Sequence, residues 1–246
     1  MCLLALFYRV AEDAPVVAGA NREEVYARGG EPPRVLDGPF RAVAGVDPAA
    51  GGTWFGVNAR GLLVAVTNRP KSGAPASPRS RGLLARDLLA LPTAADAADR
   101  AARELGQDRY AGCNFLCADA DRAVVVHAGD WLRVRPLPPG LHVLTNGDVN
   151  DPADARVGYA AWRLGQRTYA VARQCVEALR ELCSYTGPDG PAICFRGADR
   201  GTVSSSIVAL RGRPAPSTYL HAQGPPDRTE YEDYSDLLER IMERGN

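Results

Sequence analysis

Short apolar runs rich in β-branched and aromatic residues dominate the chain, separated by polar or Pro- and Gly-rich breaks. CLLALFYRV at 2–10 and VVAGA at 16–20 flank the polar stretch AEDAP and predict a hairpin. With Val10 and Val16 beside the loop, Cys2 is expected opposite Glu24 and near Asn21, within one or two residues of register. A connection through GGEPPRVLDGPF leads to a second hairpin, GTWFGVN with LLVAVTN, turning around Ala59, Arg60 and Gly61. RPKSGAPASPRS reads as a loop.

The period then becomes helical. RGLLARDLLAL sets Leu84, Leu88 and Leu91 on one face and ends at Pro92; Thr93 caps a second helix that stops at Gly106. Strands are expected at GCNFLCAD, AVVVHAGDWLRVRPL and LHVLTN, and one long helix over about 157–185. TVSSSIVALRG pairs with STYLHAQG, and YEDYSDLLERIM is a terminal amphipathic helix. Strands surround two helical blocks with no βαβ alternation, phosphate loop or internal repeat. This predicts an α+β arrangement of antiparallel sheets covered by helices, as one domain over 1–246.

The 29 basic and 29 acidic residues cancel, which argues against nucleic acid as a partner. The opening apolar run is short and lacks a basic leader, so it reads as a strand and not a signal peptide. No apolar stretch approaches the roughly 20 residues of a membrane-spanning helix. Six cysteines without a Cys-x-x-Cys pair are expected to be reduced thiols in a cytoplasmic protein, with Cys175 and Cys183 as core residues. His127, His142 and His221 lie far apart, show no zinc-binding spacing, and no metal is expected; His127 reads as a buried or edge-strand histidine.

Cys2 is the residue with chemical potential. A small side chain at position 2 permits removal of Met1, which leaves a thiol and a free α-amine on one residue. The amine titrates near about 7.7–8.0 and can act as base for its own thiol, so no histidine is needed. Attack on a carbonyl also needs oxyanion donors. Asn68 and Asn146, each ending an apolar strand, are candidates, although asparagine also favours turns.

GVNARGLLVAVTN and LTNGDVNDP are similar to the asparagine segments of the cysteine N-terminal-nucleophile hydrolases, the group of bile salt hydrolase and penicillin V acylase. The closer resemblance is to the NRDE family, also called the transport and Golgi organisation family. It is carried by Met-Cys, VVAGANREEVYAR, AGVDPAAGGTWFGVNARGLLVAVTN, SRGLLARDLL, YAGCNFL, LHVLTNGDVNDPADARV and GTVSSS, in order from the start to about Ser206. The resemblance implies a four-layer αββα sandwich with Cys2 as nucleophile and base. Glu24, or Glu23, orients the amine; Asn68 and Asn146 bind the oxyanion or the amine; Asn21 and Arg22 complete the motif. Arg22 meets a substrate carboxylate or pairs with Glu24. Two features depart from the pattern: Glu23 stands for the motif aspartate, and Val203 for an arginine whose loss raises the thiol pKa. The implied activity is hydrolysis of an amide, thioester or ester in a small-molecule substrate, with no cofactor. The alternative is a non-catalytic protein that binds and traffics haem, lipid or acyl-CoA. Oligomeric state is not legible.

Overall fold

The computed structural model describes residues 2–212 and 215–243, so the expected loss of Met1 lies outside the described residues. The chain groups into two compact units, residues 1–29 with 139–236, and residues 30–138 with 237–246.

The first unit holds a six-stranded antiparallel sheet built from β1 (Leu3–Ala11), β2 (Ala14–Val25), β10 (Gly140–Leu144), β11 (Arg200–Leu210), β12 (Thr218–Ala222) and β13 (Glu232–Asp233). Their order is β10-β1-β2-β11-β12-β13. Leu3, Ala5 and Phe7 of β1, Val17 of β2 and Ile207 of β11 pack with α3 (Ala155–Gly165) and α4 (Ala172–Cys183). Gly19 lets α4 approach β2 closely, since a Cβ there would sit 3.2 Å from Leu179. The long helix expected over 157–185 is these two helices. Val171, extended at φ −131°, starts the second, and the Tyr169 hydroxyl donates to the Leu164 carbonyl across the break at 2.8 Å.

The second unit is a seven-stranded antiparallel meander: β3 (Glu31–Leu36), β4 (Ala42–Val46), β5 (Phe55–Asn58), β6 (Leu63–Asn68), β7 (Cys113–Ala118), β8 (Ala123–Ala128) and β9 (Leu132–Pro136). Two of these strands, β3 and β4, replace part of the expected connection. Pro32 and Pro33 fit because β3 is an edge strand and owes one side of its backbone no ladder. The run expected as one strand over 123–137 turns at Gly129 to form β8 and β9, and the Gly129 N–H donates to the Trp131 carbonyl at 3.2 Å.

The helices α1 (Arg81–Leu89) and α2 (Ala94–Leu105) cover one face of this second sheet. Thr93 caps α2 as expected, its hydroxyl accepting from the Asp96 N–H at 3.1 Å. The terminal helix, α5 (Ser235–Glu243), is also present.

Each unit has a fully buried asparagine that ties a strand to the end of a helix. Asn58 donates to the Leu89 and Leu91 carbonyls at 2.9 and 2.8 Å and accepts from the Arg60 and Leu62 N–H groups at 2.9 and 3.1 Å. Asn21 donates to the Cys183 and Ile193 carbonyls at 2.8 and 3.1 Å. Carbonyls at a helix C-terminus have no intrahelical partner, and these side chains supply one. Asn58→Ala is therefore expected to lower stability by about 2–3 kcal/mol, against about 1 kcal/mol for the exposed cap variant Thr93→Ala. Urea denaturation of the two variants checks the order; equal losses would show that the buried bonds of Asn58 contribute no more than an exposed cap.

Candidate functional site

The hairpin turn is tighter than the sequence suggests. Ala11 pairs with Ala14, so only Glu12 and Asp13 form the loop. The ladder then shifts between Ala11 and Tyr8, where Arg9 takes a left-handed φ of 51°. Beyond this bulge Tyr8 pairs with Val16 and Leu3 with Asn21, so the next position brings Cys2 opposite Arg22. Glu24 lies two residues further along. On the other side Leu4 pairs with Leu144, which sets Cys2 level with Asn146 just past β10. Ser204 of β11 pairs with Arg22. Asn146, Cys2, Arg22 and Ser204 thus stand abreast across four strands.

Alternation decides which of the expected residues share a face. Leu3, in register with Asn21, is in the core with α3 and α4, so the row containing Cys2 and Arg22 is on the opposite face. Asn21 faces the helices and pins the end of α4; its expected place beside the nucleophile is corrected to a packing role.

The two glutamates also divide their tasks. Glu24 is half-buried, accepts from the Val25 N–H at 2.9 Å, and lies 3.8 Å from both Arg22 and Arg28. It is Glu23, 3% exposed, whose backbone N–H donates to the Cys2 sulfur and whose carboxylate is bound by Arg156. The acidic neighbour of Cys2 is therefore Glu23 and not Glu24.

The electrostatics of the thiol follow from these neighbours. Burial raises the Cys2 thiol above its ordinary value, the Glu23 charge raises it further, and the Glu23 N–H and the Arg22 cation work in the other direction. Arg22 is 6% exposed, with one guanidinium nitrogen donating to the Gly29 carbonyl and the other beside Glu24. Val203, where the family pattern carries arginine, is the extra residue of a bulge between Thr202, opposite Glu23, and Ser204. A cation beside the thiol is thus present on β2, although not on β11.

Two oxygens in this row, Asn146 Oδ1 and Ser204 Oγ, are buried with no hydrogen-bond partner among the described residues. Such atoms are costly unless something else supplies a donor. The sequence points to Asn146 and offers Glu23 as the alternative to Glu24, whereas Ser204 and Arg156 were missed. The serine run of GTVSSS was the available signal for the first, since alternate serines on one strand share a face.

Asn68 belongs to the second unit. It pairs with Cys113, on the side of that sheet that packs against α1 and α2. The alternate face carries Thr67, Asn114 and His127, joined by bonds of 3.1 Å from Asn114 to Thr67 and 2.8 Å between Asn114 and His127. The other histidines bond within their own unit, His142 with Asn150 at 3.0 Å and His221 with Ser206 and Gln223 at 2.9 and 2.8 Å. Burial keeps His221 below its usual pKa. Among the described residues no group of three or more His, Cys, Asp or Glu side chains is arranged to hold a metal ion, and no helix is long and apolar enough to cross a membrane.

The family model described as "Transport and Golgi organisation 2" matches residues 1–185. The chain belongs to this family. A comparison with curated protein sequences found no match. Among solved structures, the chain is similar to a Caenorhabditis elegans N-acylethanolamine-hydrolyzing acid amidase ortholog, at 18% identity and TM-score 0.57, over 85% of this chain and 92% of that one. It is also similar to a mutant of conjugated bile acid hydrolase from Clostridium perfringens, at 13% identity and TM-score 0.54, over 96% and 93% of the two chains. Penicillin V acylase from Agrobacterium tumefaciens is similar at 12% identity and TM-score 0.54, over 96% of this chain and 87% of the other. At these identities the likeness shows the fold: mixed α+β, of the N-terminal-nucleophile hydrolase type.

The remaining thiols contrast with Cys2. Burial pushes Cys113, Cys117 and Cys183 up to about 12 and Cys175 and Cys194 to about 11, and all five are buried, whereas Cys2 is half-buried. In the native protein at pH 8, iodoacetamide is expected to label Cys2 at least about tenfold faster than any other cysteine. Peptide mass spectrometry after brief labelling tests this, and uniform labelling would show that Cys2 is no more accessible than the core thiols.

Proposed function

We propose that this Transport and Golgi organisation family member is a cysteine amidohydrolase. Met1 is removed, and the Cys2 α-amine takes the thiol proton as the sulfur attacks the carbonyl carbon of an amide. The carbonyl electron pair moves to oxygen, the C–N bond then breaks, and the α-ammonium returns its proton to the departing amine. Water, activated by the same amine, hydrolyses the acyl-cysteine thioester and releases the acid. A thioester or ester follows the same course with a thiol or alcohol leaving.

The observation that carries this reading is the row of Asn146, Cys2 and Arg22, with the Glu23 N–H on the sulfur. The Arg22 cation opposes the desolvation of a thiolate. Asn146 Oδ1, buried without a partner, suits the amine, while its amide nitrogen suits the oxyanion. Choosing C–N bonds first follows the solved structures of the same fold, named as an amidase and an acylase.

A second reading is favoured by the raised thiol and by Val203: retention of a small hydrophobic molecule, haem or acyl-CoA, without turnover. A Soret shift at micromolar haem without any hydrolysis supports it, and absence of both haem and acyl-CoA binding removes it.

For the hydrolase, intact mass is expected to show loss of Met1. With a panel of fluorogenic N-acyl amides, Cys2→Ala is expected to lower kcat by at least about a thousandfold. Retained Met1 in an active preparation, or an alanine variant as active as the parent, would exclude Cys2 as the nucleophile.

A further inference from the structure

The segment that carries Asn146 continues into a turn and helix start that the proposed chemistry does not use. The Thr145 hydroxyl donates to Asp154 Oδ2 at 2.5 Å. The other oxygen of Asp154 caps α3, accepting from the Arg156 and Val157 N–H groups at 2.8 and 3.3 Å. Arg156 then extends both guanidinium nitrogens to the Glu23 carboxylate. One of them also donates to the Ile193 carbonyl at 3.1 Å, the group that Asn21 holds at 3.1 Å. The first turn of α3 therefore grips both neighbours of β1. It holds β10 through Thr145, beside Asn146, and β2 through Glu23, beside Arg22.

We propose that Arg156 is a positioning residue for Cys2, holding the Glu23 carboxylate in its charged form and fixing the strand whose N–H meets the sulfur. This rests on the reading of Cys2 as the reactive residue. The physical basis is the side-chain exposure of the pair, 2% for Glu23 and 13% for Arg156. A carboxylate so placed is sustained by its countercharge, and when that is removed the carboxylate takes up a proton.

The groups facing Glu23 can be named by element. Arg156 comes from α3, Arg200 from β11 and Cys2 from the start of β1, with Arg22 and Glu24 adjacent on β2. Burial already raises the Glu23 acid above its ordinary value; Arg156 is the largest opposing influence, ahead of Arg200. The sign for Cys2 follows. The Glu23 charge raises the thiol, so neutralising Glu23 lowers the pH at which Cys2 becomes reactive.

The test is the pH midpoint of Cys2 alkylation by iodoacetamide in the full-length protein, read by peptide mass spectrometry, for Arg156→Met, Arg156→Lys, Glu23→Gln and the Met/Gln double variant. Glu23→Gln and Arg156→Met are each expected to lower the midpoint by about half a pH unit or more. Arg156→Lys is expected to restore the parental value, and the double variant to move no further than Glu23→Gln alone. An unmoved midpoint in folded Arg156→Met, beside a shifted one in Glu23→Gln, overturns the proposal.

If Arg156→Met does not fold, thermal denaturation of the double variant decides. Removing both charges together is expected to restore folding, whereas a double variant that also fails overturns the coupling. Alkylation requires no turnover, so a protein that hydrolyses nothing still reports on Arg156.

Discussion

The register of β1 is the constraint on which the site depends. Leu3, Ala5 and Phe7 are buried against α3 and α4, so the strand has one admissible face. A slip of one residue would send these three side chains to the other side of the sheet. Cys2 lies one position before Leu3, and its face is fixed by apolar packing and not by any contact of its own. The bulge at Arg9 then fixes the neighbour. A non-glycine residue held at φ 51° costs about 1 kcal/mol or more, and the ladder beyond it sets Cys2 against Arg22 and not against Glu24. β10 completes the arrangement from the other side by bringing Asn146 level with Cys2.

A family motif in this chain mixes chemistry with construction. In Asn21-Arg22-Glu23-Glu24 adjacent residues point to opposite faces of β2, so a contiguous motif does not make a contiguous site. Asn21 bonds the end of α4, Arg22 lies on the Cys2 face, and Glu23 meets Arg156 of α3. Glu24 serves by holding Arg22. The Gly-Val-Asn segment behaves the same way: Asn58 has all four of its hydrogen bonds in the turn after β5 and at the end of α1. Asn21 and Asn58 thus meet one need in two units, partners for carbonyls that a helix leaves unsatisfied at its C-terminus.

Much of the fold was legible because its signals are local. The Thr93 side chain caps α2, which ends at Gly106, and the strands around Cys113–Ala118 and Thr218–Ala222 follow from apolar runs. What was not legible depended on tertiary context. Edge strand β3 carries two prolines that read as loop, and only its position at the sheet margin makes them tolerable. The break between α3 and α4 has no proline; it is set by the way Tyr169 packs beside Phe7 and reaches Leu164. In the candidate site, Cys2 and Asn146 were proposed from residue type and position and Arg22 from the family resemblance, and the register sets the three in one row. Glu23 was weighed and placed second, because choosing between adjacent glutamates requires a register that a bulge had shifted. Arg156 lies 133 positions from Glu23, beyond the reach of any local pattern.

The valine at 203 bears on chemistry through the same geometry. An arginine there would extend from a bulge on β11, two strands away from Cys2. Arg22, the motif arginine, is on the adjacent strand, and its charge opposes the rise in the Cys2 thiol without the residue at 203. Against it stand burial and Glu23, the two larger influences, which keep the sulfur protonated. A nucleophile in that balance works best when its proton leaves during attack and not before, because a standing thiolate would have to be sustained in a desolvated place. The α-amine that the proposed removal of Met1 would leave on Cys2 suits that requirement: its pKa would lie near neutrality, and the proton would move within a single residue. In the proposed hydrolase, the fixed charges around Cys2 therefore favour concerted proton transfer over a preformed thiolate. That distinction makes the carboxylate of Glu23 compatible with nucleophilic chemistry at Cys2.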